Sequence, residues 1–204
     1  MKRIVYTQRV ELVPDYEERR DSCDQRIGRF LQACGCLPLP LRNAPEDLPD
    51  IFRELRPDGV VLTGGNSLIQ YGGDAPERDA TDAECIRLAI DGRLPLYGFC
   101  RGMQSLLDYF GEELSEVQGH VSIYHAVTGK IERKVNSFHN QACIRLQTEN
   151  FEILAQTPDG VIEAIRHRQY PFVGTMWHPE REESFQKEDI KIVQELFSLG
   201  NACI

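Results

Sequence analysis

Arg93-Leu-Pro-Leu-Tyr-Gly-Phe-Cys-Arg-Gly-Met-Gln-Ser-Leu-Leu-Asp-Tyr-Phe110 sets the pattern for the whole chain. Leu94 to Tyr97 is a short apolar run that reads as a buried strand. Gly98-Phe99-Cys100-Arg101-Gly102 follows, and then a helical pattern places Met103, Leu106, Leu107 and Phe110 on one face. Strand, tight turn and helix, with a cysteine at the turn and a glycine two residues to either side, is the form of a nucleophile elbow. The glycines have a mechanical reason: a sharp turn strains the backbone, and side chains beside it would collide with the strand and helix it joins. Cys100 would cap the following helix, whose dipole favours thiolate over thiol. The motif is short, however, and a buried structural cysteine between two loop glycines satisfies it equally well.

Bulk composition narrows the function classes. A chain of 204 residues is long enough for one well-buried domain and short for two, so residues 1–204 are read as one unit. Its hydrophobic content of 41% and charged content of 27% are those of an ordinary globular protein. A net charge of −9 without a basic block argues against nucleic-acid partners. No apolar run approaches the roughly 18 residues of a membrane span. Met1 to Tyr6 enters a strand-like pattern with no signal-peptide core, which points to the cytoplasm. The seven cysteines are scattered, with no C-x-x-C pair. Reduced thiols are expected, and no metal site or cofactor, Cys34-Gly35-Cys36 included.

Outward from the elbow, apolar runs alternate with helical patterns. Arg3–Thr7 reads as a strand, and Tyr16–Ala33 as a helix with Cys23, Ile27, Phe30 and Leu31 inside and Gly35 as its stop. Leu37–Leu41 is a strand whose Pro38 and Pro40 push it towards a sheet edge. A helix over Pro45–Leu55, a continuous apolar strand Val60–Thr63 and a helix over Thr81–Ile90 precede the elbow. This is the pattern of a doubly wound α/β domain with a mostly parallel sheet flanked by helices. Beyond the elbow the character changes. Val121–Val127 and Lys130–Val135 alternate around Thr128-Gly129 as a hairpin, Val161–Arg166 and Phe172–Thr175 form another, and a helix closes the chain near Asp189–Leu199.

A thiolate nucleophile needs a base, and the base an orienting group. Among the five histidines, His178 follows the apolar strand Phe172-Val-Gly-Thr-Met176 and would emerge at a strand end, where open α/β sheets keep their sites. Pro179 holds His178 out of helical geometry, and Glu180, two residues on, shares its face in extended backbone. Read in isolation, His178-Pro179-Glu180 is also compatible with a solvated surface turn. His120, His125 and His167 are read as ordinary polar positions.

Gly98-Phe99-Cys100-Arg101-Gly102-Met103-Gln104, followed later by Trp177-His178-Pro179-Glu180, resembles the class I glutamine amidotransferases over essentially the whole chain. It resembles in particular their free-standing γ-glutamyl hydrolase branch. The resemblance implies a flavodoxin-like fold with added antiparallel hairpins, and a Cys100–His178–Glu180 triad. It further implies an oxyanion hole from main-chain N–H groups at Gly64 or Gly65, in Gly64-Gly65-Asn66, and at Arg101, the residue after the nucleophile. Gln104 would help hold the glutamyl group. Asn136-Ser137-Phe138-His139-Asn140-Gln141 resembles the N-S-x-H-x-Q segment of that branch, making Asn136, Ser137, Phe138 and His139 substrate-binding candidates, chiefly through main-chain groups near Ser137.

Within the family, Cys100-Arg101-Gly102 together with Pro76-Glu77-Arg78-Asp79 favours hydrolases of small γ-glutamyl substrates over ammonia-channelling subunits. Two departures stand out: Met176 replaces a common glutamine, and the Ser67–Asp74 segment at the mouth of the site is short. Tyr6-Thr7-Gln8-Arg9, the short glycine loop and the chain length resemble a compact subgroup that hydrolyses γ-glutamyl-CDP-amidate to glutamate and cytidine diphosphoramidate, used in capsule biosynthesis. Rival expectations are a γ-glutamyl-γ-aminobutyrate-type hydrolase, a glutaminase subunit serving a separate synthetase, or a non-hydrolytic redox or binding module. A homodimer or a synthetase partner is compatible with the sequence.

Overall fold

Gly59–Leu62 and Leu96–Phe99 are short runs with every residue buried, which is possible only in the middle of a sheet covered on both faces. The rest of the fold is arranged around this pair. The computed structural model describes residues 1–199, so Cys203 lies outside the described residues. In chain order the strands and helices are β1 (Lys2–Tyr6), β2 (Arg9–Val13), β3 (Glu18–Ser22), α1 (Gln25–Ala33), β4 (Cys36–Pro40), α2 (Leu48–Leu55), β5 (Gly59–Leu62), α3 (Pro76–Gly92) and β6 (Leu96–Phe99). Then come α4 (Arg101–Tyr109), β7 (Ser115–Glu116), β8 (Val121–Gly129), β9 (Arg133–Phe138), β10 (Gln141–Ala142), β11 (Phe151–Gln156), β12 (Ile162–His167), β13 (Phe172–Thr175) and α5 (Lys187–Leu199).

Nine strands form the central sheet in the order β4-β1-β5-β6-β13-β12-β11-β8-β9. The run from β4 to β13 is parallel throughout, and from β13 to β9 every pairing is antiparallel. This is the doubly wound architecture with added hairpins that the alternation of elements predicts. Side chains alternate across the parallel strands and sort the helices to the two faces. Ile4, Tyr6 and Val61 pack with Phe30 and Leu31 of α1 and with Val193, Leu196 and Phe197 of α5. Val5, Val60 and Leu62 pack on the other face with Leu48 and Phe52 of α2, Ile86 of α3 and Leu106 of α4. Each such side chain contributes about 1.5–3 kcal/mol when fully buried. β4, with its two prolines, stands at one edge of the sheet as expected.

The helix expected over Tyr16–Ala33 forms only from Gln25. Upstream, β2 and β3 make an antiparallel hairpin around a turn at Pro14–Tyr16, with Glu17 in the left-handed region at φ 52°. Pro14 stops β2, and the charged residues of Glu18–Ser22 extend along it rather than coil. Asp24 then caps α1, its carboxylate accepting the Arg26 main-chain N–H at 2.9 Å. The β8–β9 ribbon also differs from expectation: β8 runs through Gly129, and the turn falls at residues 130–132.

Candidate active site

Three adjacent parallel strands, β5, β6 and β13, end side by side, and the chain leaving each contributes to one site. Thr63-Gly64-Gly65 follows β5, Cys100 follows β6, and Met176-Trp177-His178 follows β13. Carboxyl ends of parallel strands are where open α/β sheets hold their ligands.

Cys100 has φ 50° and ψ −113°, a conformation that costs a non-glycine residue about 1–3 kcal/mol and persists only when its surroundings enforce it. Here the Cys100 N–H donates to the Thr175 carbonyl at 2.7 Å. The Cys100 carbonyl accepts the Met103 and Gln104 N–H groups at 3.0 and 3.1 Å, closing the first turn of α4. A Cβ at Gly102 would lie 2.0 Å from the Leu62 carbonyl oxygen, so only glycine lets α4 start this close to β5. The thiol is thus buried at the positive end of a helix, with six free cysteines and no disulfide among the described residues.

His178 faces this thiol. Its Nδ1–H donates to Glu180 Oε1 at 2.7 Å, which leaves Nε2 for the nucleophile. Both residues are buried, and Glu180 sits in a short 3-10 turn over Pro179–Arg181. Burial pulls the imidazole pKa down, but the charge and hydrogen bond of Cys100, with those of Glu180, outweigh it and push the value up to about 9. The His178 backbone is clasped at two points by Asn136: its N–H donates to Asn136 Oδ1, and Asn136 Nδ2 donates to its carbonyl, both at 2.8 Å. Phe99 and Phe138 set ring edges against the imidazole at 5.7 and 5.6 Å.

Gly64 lies against both groups. A Cβ there would stand 2.8 Å from His178 Cε1 and 3.6 Å from Cys100 Cβ, so a side chain would overlap the base. The loop is fixed from behind. Thr63 Oγ1 donates to the Thr7 carbonyl at 2.7 Å, and buried Arg78 donates to the Thr63 carbonyl and hydroxyl at 2.8 and 3.0 Å. Gly65 packs on the Arg9 side chain, and Asn66 exchanges two hydrogen bonds with Val10. The β2–β3 hairpin thereby flanks the glycine loop. Arg101 turns its side chain away from Cys100 into the interior, where it meets Asp79, Asp82 and Ser105. Its main-chain N–H stands in the first turn of α4, where a helix offers no internal acceptor.

The remaining candidates differ in what their side chains do. Gln104 Nε2 donates to the Gln141 carbonyl at 2.8 Å. Asn136 is engaged by His178 and Glu182. Ser137 Oγ donates to the His120 carbonyl at 2.6 Å and is fully buried. His139 turns away from Cys100 towards Glu163. Phe138 packs between His178 and the Arg181 guanidinium, which lies 4.2 Å from its ring centroid. Sequence reading gave no role to Asp82, Thr63, Phe99, Arg181 or Glu182. Asp79 and Asp82 carried a signal, since they stand three apart on α3, on the side that buries Cys85, Ile86 and Ala89. A cavity of about 1030 Å³, whose lining does not include Cys100, lies between the β8–β9 ribbon and α5 and is lined by Arg133, Trp177 and Ile192 among others.

Comparisons with known proteins bear on the family and the fold. The model of the glutamine amidotransferase class-I family matches residues 18–196. The γ-glutamyl-CDP-amidate hydrolase of Campylobacter jejuni is 30% identical over 198 residues, covering 95% of this chain and 96% of that one. The γ-glutamyl-γ-aminobutyrate hydrolase of Escherichia coli strain K12 is 29% identical, covering 72% and 73%. Among solved structures, a Thermoplasma acidophilum protein described as a subunit of GMP synthase superposes with a TM-score of 0.74 at 19% identity, covering 99% of this chain and 96% of that one, a likeness of fold alone. With its fold, elbow and family match in accord, the chain belongs to the class I glutamine amidotransferase family.

Proposed function

We propose that the protein is a cysteine-dependent hydrolase of γ-glutamyl amides, and that its substrate is γ-glutamyl-CDP-amidate. The observation that carries the reaction class is the line Cys100, His178, Glu180 at the ends of β6 and β13, with the Nδ1–Oε1 bond of 2.7 Å fixing the imidazole. The Cys100 thiolate attacks the γ-carbonyl, and the electron pair of the carbonyl moves onto its oxygen. Main-chain N–H groups at Gly64 or Gly65 and at Arg101 receive that oxyanion; losing one such donor costs about 3 kcal/mol of transition-state stabilisation. The tetrahedral species collapses as the C–N bond breaks, and His178 gives its proton to the leaving nitrogen. His178, now neutral, takes a proton from water, which attacks the thioester and releases glutamate and the free thiol.

Support for the finer reading comes from the match with the Campylobacter hydrolase, which spans nearly all of both chains, whereas the aminobutyrate hydrolase match leaves over a quarter of each uncovered. The short Ser67–Asp74 segment fits a site mouth open to a large leaving group. A cytidine diphosphoramidate product would belong to capsule biosynthesis. The test is glutamate release from a panel of γ-glutamyl-CDP-amidate, γ-glutamyl-γ-aminobutyrate, a γ-glutamyl folate and glutamine. The highest kcat/KM is expected with the CDP-amidate. Preference for the aminobutyrate compound would replace the substrate and keep the chemistry. Turnover of glutamine alone, stimulated by a synthetase, would make the protein an ammonia-delivering subunit.

A further inference from the structure

Three imidazoles and a carboxylate converge in the interior, outside the triad. His120 precedes β8, His125 lies on it, His139 follows β9, and Glu163 lies on β12. The Glu163 side chain is fully buried, and that of His125, the most open of the three rings, is only 12% exposed. Three ring nitrogens approach the same oxygen, Glu163 Oε1: His139 Nε2 at 3.1 Å, His125 Nε2 at 3.4 Å and His120 Nδ1 at 3.5 Å. Yet among the described residues His120 Nδ1, His125 Nε2 and Glu163 Oε2 have no hydrogen-bond partner. A buried polar atom left unpaired costs about 1–3 kcal/mol, and three in one place call for a common partner.

The tautomer of His120 sharpens this. Its Nε2 lies 3.0 Å from Asp159 Oδ2. A carboxylate oxygen at that distance accepts, so Nε2 carries the proton and donates it to Asp159. In the neutral ring Nδ1 then turns a lone pair towards an oxygen of Glu163, and two acceptors at that separation need a positive centre. A carboxylate that orients a histidine through its outer nitrogen is the usual support of a metal-binding imidazole.

We propose that His120 Nδ1, His125 Nε2 and Glu163 bind a divalent transition-metal ion of the Zn2+ class, with Asp159 and His139 orienting the ligands. The three donor atoms all lie within 4.8 Å of one another. Bonds of about 2.0–2.1 Å in a tetrahedron set neighbouring donors roughly 3.3 Å apart, close to the spacings of both histidines from Glu163. Two imidazoles and one carboxylate suit Zn2+; Mg2+ and Ca2+ prefer oxygen donors, and no thiolate is present to favour a softer ion.

The site's position gives the ion a task. Among the described residues, the β8–β9 ribbon joins the rest of the sheet only through Gly129 and Thr128 at one end of β8. The cluster ties the opposite end to β12. Beside His139 stands Phe138, whose ring packs on His178. A bound ion would therefore hold Asn136–Phe138 against the base, and this holds whichever amide is cleaved.

The experiment uses metal-depleted full-length protein with Zn2+ or Co2+ alone. One equivalent of Zn2+ is expected to be retained through gel filtration and to raise Tm. Co2+ is expected to show the visible bands of a tetrahedral site without thiolate charge-transfer absorption, which separates the cluster from Cys100. Glu163→Gln and His125→Asn should each abolish retention, and His139→Asn should weaken it by about 10- to 100-fold. Because Glu163→Gln risks the fold, His125→Asn, at the most open ligand, is the second variant, with circular dichroism to verify folding. The proposal is overturned if wild-type protein retains no Zn2+, if folded His125→Asn retains it equally, or if the Co2+ spectrum is that of a thiolate complex.

Discussion

In the parallel half of the sheet, Gly64, Cys100 and His178 leave three neighbouring strands within a few residues of their ends, and ladder hydrogen bonds hold them in register. In the antiparallel half, Asn136 and Phe138 reach His178 from β9, the last strand at the far edge of the sheet. The first arrangement builds the chemistry into the part that could not be altered without altering the fold. The second brings supporting contacts to the base on a ribbon that touches the sheet at one end. Substitutions in the two halves should therefore fail in different ways, the parallel half through loss of chemistry or fold and the antiparallel half through a displaced base in an intact fold.

Cys100→Ala should have the largest effect. Removing the nucleophile is expected to reduce glutamate release by at least about 10⁴-fold, the scale on which lost nucleophiles act in related mechanisms. The fold should survive, since alanine removes only the sulfur and leaves the main-chain hydrogen bonds of the turn in place, and a thermal melt near that of wild type would show it. Wild-type turnover by this variant would refute the covalent mechanism.

Glu180→Gln comes next. It keeps the shape of the carboxylate but not its charge, and kcat should fall by roughly 10²- to 10⁴-fold. The pH profile gives the sharper reading. The folded pKa of His178, about 9, lies above its ordinary value of 6.5. The resulting stabilisation is complete below pH 6.5 and fades as pH rises through about 9. The imidazolium that protonates the leaving nitrogen is lost over the same range, so kcat/KM should decline with an apparent pKa near 9. Glu180→Gln should move that alkaline limb to lower pH. Cys100→Ala should lower the His178 pKa further, measured by NMR titration, because Cys100 is the larger of the two raising influences. An unmoved limb in Glu180→Gln would remove the carboxylate from the mechanism.

Gly102→Ala tests the parallel half as a fold. Its Cβ would fall 2.0 Å from the Leu62 carbonyl oxygen, so backbone must move, at a cost of about 1–3 kcal/mol or more in a chemical denaturation curve. Because the displaced turn carries Cys100, activity should fall with stability. A stable but inactive variant, or the reverse, would separate two properties that the geometry couples.

The same contrast explains what the sequence discloses. β5, β6 and the helices after them are legible because buried parallel strands are continuous apolar runs and their helices repeat at 3.6 residues. Cys100 and His178-Pro179-Glu180 are legible because each sits at the end of such a run. The hairpin over Arg9–Ser22 was hidden because Glu18–Ser22 is almost wholly charged, and nothing local distinguishes a solvated strand from the polar start of a helix. β11, Phe151–Gln156, interleaves apolar and polar residues without a clean period of two and declares itself only by pairing with β12 through shifted register. In the sequence His120, His125 and Glu163 look like unrelated polar positions and His139 like part of the substrate segment, because only long-range antiparallel pairing brings the four together. The side-chain roles of Asn136 and Ser137 were hidden for the same reason: their partners, His178 and the His120 carbonyl, lie 42 and 17 residues away.

The smallest effects should come from the ribbon. Asn136→Ala removes both hydrogen bonds to the His178 backbone, leaving a buried N–H and carbonyl without partners at roughly 1–3 kcal/mol. Phe138→Leu removes only a ring edge from the imidazole, worth about 0.5–1.5 kcal/mol. If the ribbon positions the base, both variants should lower kcat, by about 10- to 100-fold for Asn136→Ala and only severalfold for Phe138→Leu, in proportion to these energies. The alkaline limb should stay near pH 9, because neither residue is among the charges that raise the imidazole pKa. A rise in KM at unchanged kcat would instead make Phe138 a wall of the substrate pocket. The kcat–KM split in Phe138→Leu thus decides whether the edge of the sheet orients the base or meets the substrate.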